Sequence, residues 1–335
     1  MSTDCASAPV NAILARCLLD AGFLDDLTHD PETALRGYAL DARTCAEFRQ
    51  LRVDRVRHFA GFITKVQHNY LWESFPYTRA LLKAYRIEIE VFTAYLPVHQ
   101  RLRAQAASRD QKTEGFLTFL QSYLDTAAEA AACQAEGHEP FPGLHDVLRH
   151  ERIEWEIRTT LGGTESTRNP NGNAPAEVNP AQLPARAFGR LVPVIQGVFK
   201  VGTFARNPMP IVDALAKGTF RPEPTPKPRV DATYVFGYWG DTASNQLHIF
   251  ELDPVSAGVV TLIDGSRSVR AIVERAARAH GQQLSVSALR PFFQTVVDQG
   301  LVTFPQPTQQ TQLTLPAKHR HESWHSCREQ HEQPE

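Results

Sequence analysis

The chain has 335 residues, of which 42% are hydrophobic and 21% are charged, and its formal net charge is −2. These values are typical of a globular protein, and the slightly acidic balance disfavours a protein whose main partner is bulk nucleic acid. No apolar run approaches the roughly 18 residues that a membrane-spanning helix needs, so we expect no membrane partner. The length is enough for two or three domains.

The cysteines and the first residues bear on the compartment. The five cysteines are scattered, odd in number, and form no CxxC pair, a pattern typical of reduced thiols. The opening segment MSTDCASAPV has no basic leader and carries Asp4 early, so it does not resemble a signal peptide. We therefore predict a cytoplasmic protein.

Residues 1–136 predict an N-terminal helical bundle. Apolar residues recur at steps of three and four, which is the spacing of one face of a helix. The predicted helices cover 11–24, 44–70, 78–85, a segment from 87 with a pause at Pro97, and 114–135. The second of them carries an apolar stripe that includes Phe59, Phe62, Ile63 and Val66. Because the connections are short, we expect the helices to pack side by side.

The middle region, residues 137–220, is poorly defined by its pattern. The run FPGLHDVLRHERIEWEIRTTLGG suggests a helix, with a strand possible toward its end. A Pro/Asn-rich stretch over 162–185 predicts a mobile loop. Periodicity does not decide whether LVPVIQGVFKVGTF forms strands or one helix. Residues 221–230 are proline-rich and predict a stiff, extended linker.

Residues 231–305 predict a small winged-helix domain. Two β-type runs, 233–239 and 246–252, are separated by the turn residues Gly240-Asp241 and Asn245. Asp253-Pro254 and Ser268 are typical helix starts. A third helix precedes Gly300, and residues 301–304 can return as a strand. The predicted fold class is therefore mainly α with a smaller α+β part, and the polar tail 306–335 is predicted to be disordered.

The C-terminal segment resembles a known family. The runs FELDPVSAGVVTLIDGSRSVRAIVERAA and VVDQGLV are similar to the PqqD-like fold, the precursor-peptide recognition element of peptide-modifying systems. The resemblance implies that a leader peptide adds as a strand to the sheet edge and lies against the third helix. The implied peptide-binding residues are Leu247, His248, Ile249, Phe250, Leu289, Arg290, Phe293 and Gln294. An alternative stays open, because Phe292, Phe293, Val296 and Val297 form a helical apolar stripe that suits a core.

A second resemblance lies in the helical region. The run FAGFITKVQHNYLWESFPYTRALLKAYRIEIEVFTAYLP is similar to partner proteins of multinuclear non-heme iron-dependent oxidases, which are TIM barrels that modify peptide cysteines. Together with a PqqD-like segment, it resembles the partner protein of 3-thiaglutamate biosynthesis. The resemblance implies a heterodimer in which the oxidase holds the iron. The implied interface residues are Lys65, His68, Asn69, Tyr70 and Trp72. Alternatively, these are ordinary bundle residues.

Two groups of residues are candidate metal sites. The tail carries His319, His321, His325, Cys327 and His331, whose spacing matches no closed zinc motif. The second group is His145, His150, Glu151 and Glu154. On a helix it offers two ligands on one face at best, and a solvated charged face fits it better. The sequence also lacks HExxH, P-loop, GxGxxG and GxSxG motifs. We expect no metal, cofactor or active site in this chain alone.

A winged helix is also a DNA-binding scaffold, so a transcriptional regulator is the rival interpretation. The third helix offers Arg290 as its only basic residue and includes Asp298, a poor match to a phosphate-rich surface. The second helix is more basic, with Arg267, Arg270, Arg275 and Arg278. A metalloenzyme built on the histidines is a third, weaker possibility.

Overall fold

The computed structural model describes residues 7–133, 139–163, 178–223 and 233–305. The fold is mainly helical, with a small part in strands, as the sequence predicts. The helices are α1 (Ser7–Leu19), α2 (Ala21–His29), α3 (Pro31–Leu35), α4 (Ala42–Arg49), α5 (Val53–Gln67), α6 (Leu71–Ser74), α7 (Pro76–Ala84), α8 (Glu88–Ala104), α9 (Arg109–Cys133), α10 (Leu144–Gly163), α11 (Ala185–Phe188), α12 (Pro208–Ala216), α13 (Pro254–Thr261), α14 (Val269–His280) and α15 (Arg290–Asp298). The strands are β1 (Val194–Ile195), β2 (Val198–Phe204), β3 (Tyr234–Asp241), β4 (Gln246–Glu251) and β5 (Val302–Thr303). In these ranges no helix combines the length and the apolar character that a membrane crossing requires.

Contacts divide the chain into two units, each built from two separate stretches. The first unit is Met1–Thr167 with Gly197–Ala257, and the second is Arg168–Gln196 with Gly258–Glu335. The first contains the helical bundle and the sheet of β2, β3 and β4. The second contains α11, α14, α15 and the short pair of β1 and β5.

Aspartate caps divide the N-terminal helices more finely than their apolar spacing predicts. Asp20 accepts a hydrogen bond from the Phe23 amide and so begins α2 inside the predicted 11–24 helix. Asp41 caps α4 in the same way through the Thr44 amide. A break at residues 50–52 then separates α4 from α5. A small core joins these helices, formed by Ile13, Cys17, Phe23, Leu24, Leu27, Leu35 and Phe48.

The main bundle core is shared by six helices, namely α6, α7, α8, α9, α10 and α12. The predicted pause at Pro97 is wrong, because α8 continues through this proline. A proline inside a helix removes one backbone hydrogen bond, but α8 is anchored on both sides of it by buried residues, Leu96 and His99 among them. The loss of one bond is therefore outweighed by the burial of the helix.

The middle region forms one long helix and one strand of the sheet. Residues 144–163 are helical throughout, so the strand suggested near the end of this run is wrong. The apolar run that periodicity left open forms β1 and β2, and β2 pairs with β3 in antiparallel register, Phe199 opposite Trp239. The ends of the predicted 162–185 loop lie in α10 and in a short 3-10 turn, Pro180–Gln182. Its residues 164–177 lie outside the described ranges, as do 224–230 of the predicted linker and the tail 306–335.

The sheet packs one face closely on α10, and two glycines permit the approach. A Cβ atom at Gly202 would lie 2.8 Å from Ile153 Cδ1, and one at Gly240 would lie 2.5 Å from Ile157 Cγ2. Both distances are shorter than a normal Cβ contact, so a larger residue at either position would force the α10 side chains to shift. Tyr238 is fully buried in the same layer.

The second unit confirms most of the predicted helix starts and ends. Ser268 caps α14 through the Ala271 amide, and Gly281 ends it in the left-handed conformation. The third helix begins at Arg290, with Pro291 in its first turn. Phe293 lies at the centre of the unit, 5.8 Å from the Phe188 ring centroid. The predicted strands β3 and β4 belong to the first unit, so a single winged-helix domain over 231–305 stays a prediction.

Candidate functional site

The predicted partner-interface residues lie at and after the C-terminal end of α5. Lys65 pairs with Glu88 at 2.8 Å, and Arg79 reaches the same carboxylate at 3.1 Å. Asn69 is exposed, while Tyr70 is half-buried with the Arg109 guanidinium 4.8 Å from its ring centroid. Among the five predicted residues, Asn69 alone therefore offers an exposed side chain.

Trp72 and His68 are core residues, as the alternative interpretation predicts. The Trp72 ring packs edge-on against Phe92 and Phe116, with centroids 5.7 and 6.0 Å away. His68 is 1% exposed, and its Nδ1 donates to the Thr64 carbonyl at 3.0 Å. The ring therefore holds α5 together at its end rather than facing a partner.

His68 and His99 form a buried pair in the bundle, with ring centroids 4.5 Å apart. Gln67 Oε1 accepts from His99 Nε2 at 3.0 Å. Desolvation by burial lowers the pKa of both rings, that of His99 to about 4 with a further contribution from His68. Both rings are therefore neutral at pH 7. The remaining nitrogens, His68 Nε2 and His99 Nδ1, have no hydrogen-bond partner among the described residues.

The exposure of the apolar stripe on α5 is the feature that the sequence pattern missed. Phe59, Phe62 and Val66 are 50%, 43% and 56% exposed, and the two phenylalanine rings stack at 6.3 Å. The spacing i, i+3, i+7 places the three side chains on one side of the helix. Exposed apolar side chains that are contiguous mark interaction surfaces more often than single ones do. We call these three residues the α5 stripe.

The reason for the exposure lies on the opposite side of α5. Ala60, Gly61 and Thr64 are buried, and Gly61 lies against Thr93 of α8. A Cβ atom at Gly61 would lie 2.8 Å from the Thr93 nitrogen and 2.9 Å from its Cα, so the two helix backbones approach closely there. Small residues let helices approach, which turns the larger side chains outward. The run of small residues at 60, 61 and 64 is the signal that could have identified the stripe.

The predicted peptide-binding strand is β4, an outer strand of the sheet β2-β3-β4. Leu247 and Ile249 pack on the side of the sheet that α10 covers. His248 is exposed and stacks on Trp239, with centroids 5.0 Å apart. The Phe250 ring lies over Gly237, where an added Cβ would be 2.7 Å from it. The strand thus presents an outer edge and one exposed imidazole.

The predicted helical half of the groove lies on α15 and belongs to the second unit. Leu289 and Phe293 are buried, as is Val296, so the interpretation as core is confirmed for Phe293 and Val296. Arg290 donates to the Leu183 carbonyl at 2.6 Å and lies over the Phe188 ring at 5.0 Å. Gln294 donates to Asp298 at 2.7 Å. These side chains therefore have partners within their own unit.

The second candidate metal group forms a hydrogen-bonded chain instead. Glu154 lies 3.3 Å from His150 Nε2, which leaves Nδ1 to accept from the Tyr238 hydroxyl at 2.7 Å. His145 lies apart from them, 3.3 Å from Asp125. No group of three or more potential ligands is gathered in the parts of the chain that the structure describes. The tail histidines lie outside those parts.

Glu151 has a structural role of its own. Its two carboxylate oxygens accept from the Tyr77 and Thr78 amides at 2.8 and 2.7 Å. These amides lie in the first turn of α7, whose N-terminus has no cap from its own preceding residue. Burial raises the pKa of Glu151 to about 7, against the opposing effect of these donors. Glu151 therefore caps α7 from a distance.

Two surfaces of the first unit are thus suited to contacts with other chains: the α5 stripe and the outer strands of the sheet. The stripe offers apolar area, and an outer strand offers unpaired backbone groups. A search of protein-family models gives no match, and none of the curated proteins matches the sequence.

Proposed function

We propose that this protein is a non-catalytic partner subunit that binds a precursor peptide and presents its cysteine to an iron-dependent oxidase. The reaction class that fits the resemblance is excision of a carbon from a C-terminal cysteine, as in 3-thiaglutamate biosynthesis. The oxidase supplies the iron, and this chain supplies binding and position. Tethering one part of a peptide raises the effective concentration of another part at a distant site.

The observation that supports this proposal best is the α5 stripe. It lies in the segment 59–97 that resembles the oxidase partners, and it leaves two stacked phenylalanine rings open on one helix. Aromatic side chains are enriched at the energetic centres of protein interfaces. We therefore take the stripe as the docking surface, together with exposed Asn69 in the turn that follows α5. The proposed interface is therefore the α5 stripe with Asn69. The other residues that the resemblance implies are left out of it: Lys65, His68, Tyr70 and Trp72.

The test is recovery of partners from the native host with tagged protein. Wild-type protein should recover an iron-containing barrel enzyme in near-equal amount, identified by mass spectrometry and iron analysis. The double variant Phe59→Ser/Phe62→Ser should lose that enzyme without losing helicity, because both rings are exposed. Leu19→Ser is the matched control, since Leu19 is an equally exposed apolar residue, at 50%, on a different helix.

The outcomes separate the competing interpretations. Equal recovery of the enzyme by the double variant would remove the stripe from the interface. Recovery of DNA with no enzyme would favour the regulator. For that rival, Arg290 of α15 is held by Leu183 and Phe188, whereas Arg270, Arg275 and Arg278 of α14 are exposed.

A further inference from the structure

A cavity of about 520 Å³ lies in the first unit between α9, α10 and β2. We call it the edge cavity. Its wall is formed by Leu117 and Gln121 of α9, by a run of α10 residues from His145 to Glu156, and by Lys200 and Val201 of β2. The volume is in the range of ordinary ligand sites.

The position of the cavity follows from the two strand residues that line it. Neighbouring residues of a strand point to opposite faces of the sheet. A cavity that touches both Lys200 and Val201 therefore lies along the edge of β2. In the described ranges β2 pairs with β3 alone, so every second residue on its outer side presents an amide and a carbonyl without a strand partner.

The charges of the cavity wall are unequal. Arg149, Arg152 and Lys200 line it together with one carboxylate, Glu156. Arg152 and Lys200 both pair with Glu156, and Arg152 also reaches Glu114. Arg149 is exposed, and its guanidinium lies 5.9 Å from the Phe204 ring centroid, with no carboxylate paired to it among the described residues. In the edge cavity, the guanidinium of Arg149 is thus not neutralised by a carboxylate of the described residues, while Arg152 and Lys200 share Glu156.

We infer that the edge cavity binds an extended peptide with acidic side chains, which pairs with β2 as a fourth strand. The unpaired backbone of β2 supplies main-chain hydrogen bonds, and the guanidinium of Arg149 supplies a charge-assisted bond to a carboxylate. This inference rests on the proposed function, for which it names the edge that the precursor peptide uses and the chemistry of its side chains. It places the peptide at β2 rather than at β4.

The probe for the test is a short blocked peptide that alternates valine and glutamate, labelled for fluorescence anisotropy. In a strand its glutamates lie on one face. Wild-type protein should bind it, and a valine–lysine peptide of the same length should not bind. Arg149→Glu should weaken binding about tenfold, the expected loss of one charge-assisted contact. Arg158→Glu is the matched control: Arg158 is 65% exposed on the same helix and lies outside the edge cavity.

Amide hydrogen exchange then identifies the strand that pairs. Bound peptide should slow exchange in residues 198–204 and leave 246–251 unchanged. Protection of 246–251 alone, or equal affinities of Arg149→Glu and wild-type protein, would overturn the inference. If the host's own precursor is recovered equally by Arg149→Glu, the inference fails while the proposed function stands. If the probe binds at β2 but no host peptide is ever recovered, the proposed function fails and the binding site stands.

Discussion

The close contact between α5 and α8 makes Gly61→Ala an informative substitution. An alanine Cβ would lie 2.2 Å from Thr93 Oγ1, and it would also meet the nitrogen and Cα of Thr93 at 2.8 and 2.9 Å. The hydroxyl can rotate away, but the backbone atoms cannot, so the helices must separate. Overpacking of this kind costs about 1–3 kcal/mol, and alanine returns about 1 kcal/mol of helix propensity over glycine. Because backbone atoms are involved, we take the upper end of this cost, about 3 kcal/mol. After the gain in helix propensity, the free energy of unfolding should fall by about 2 kcal/mol.

The measurement is urea unfolding followed by far-UV circular dichroism, with hydrogen exchange of α5 and α8 amides to locate the change. Gly162→Ala is the matched control, because nothing lies within 4 Å of a Cβ atom there; it should be neutral or stabilise by up to about 1 kcal/mol. Thr93→Ala should rescue Gly61→Ala only in part, because the backbone contacts remain. Equal stability of Gly61→Ala and Gly162→Ala, or full rescue by Thr93→Ala, would refute the close approach of the two helices.

Two further predictions concern buried ionisable groups of the bundle. Because burial lowers the pKa of His99 from its ordinary 6.5 to about 4, the unfolded chain takes up the proton first as the pH falls. The contribution of neutral His99 to the free energy of unfolding is therefore complete above pH 6.5, and it falls by up to about 3 kcal/mol on acidification to pH 4. His99→Gln should flatten the pH dependence of the urea midpoint. Glu151→Ala should destabilise the protein by about 2 kcal/mol, since the first-turn amides of Tyr77 and Thr78 lose their acceptor; hydrogen exchange at both amides should accelerate.

Exposed residues provide the controls for both. His58→Gln replaces an exposed histidine of α5 and Glu129→Ala an exposed glutamate of α9, and neither should shift the curves measurably. Burial also lowers the pKa of His68. The His99→Gln protein should therefore keep part of the acid sensitivity of the wild-type protein. An unchanged pH dependence in that variant would place the titration elsewhere. A Glu151→Ala protein as stable as wild-type would show that solvent replaces the cap without cost.

Local signals predicted the local parts of the fold well. Asp253 bonds the Val255 and Ser256 amides and begins α13, and Ser268 and Gly281 delimit α14, because capping depends on residues within one turn. Asn245, a predicted turn residue, has a left-handed backbone in the β3–β4 turn. Each of these positions is decided by its immediate neighbours, so the pattern alone was enough. The predicted turn at Gly240-Asp241 is wrong, because both residues belong to β3 and pair with β4.

Features that depend on distant residues escaped prediction. The pairing of Phe199 with Trp239 joins positions on either side of the proline-rich segment, and no periodicity encodes it. Likewise, the apolar spacing of α5 shows a stripe but not which side of the helix α8 covers. The core positions of His68 and Trp72 depend on the same packing. Only the close approach at Gly61 decides that Phe59 and Phe62 face outward.

The two-part construction of each unit constrains how the chain is made and how it can be cut. Residues 168–196 are synthesised well before residues 258–305. The second unit therefore cannot form until the strands of the sheet, which lie between these stretches in the sequence, have also been synthesised. For the same reason, a cut within the proline-rich segment separates β2 from β3, and the start of the second unit from its end. A fragment that begins at residue 231 would therefore lack one strand of its sheet and the helix α11. Each of the two fragments made by such a cut would contain only part of each unit.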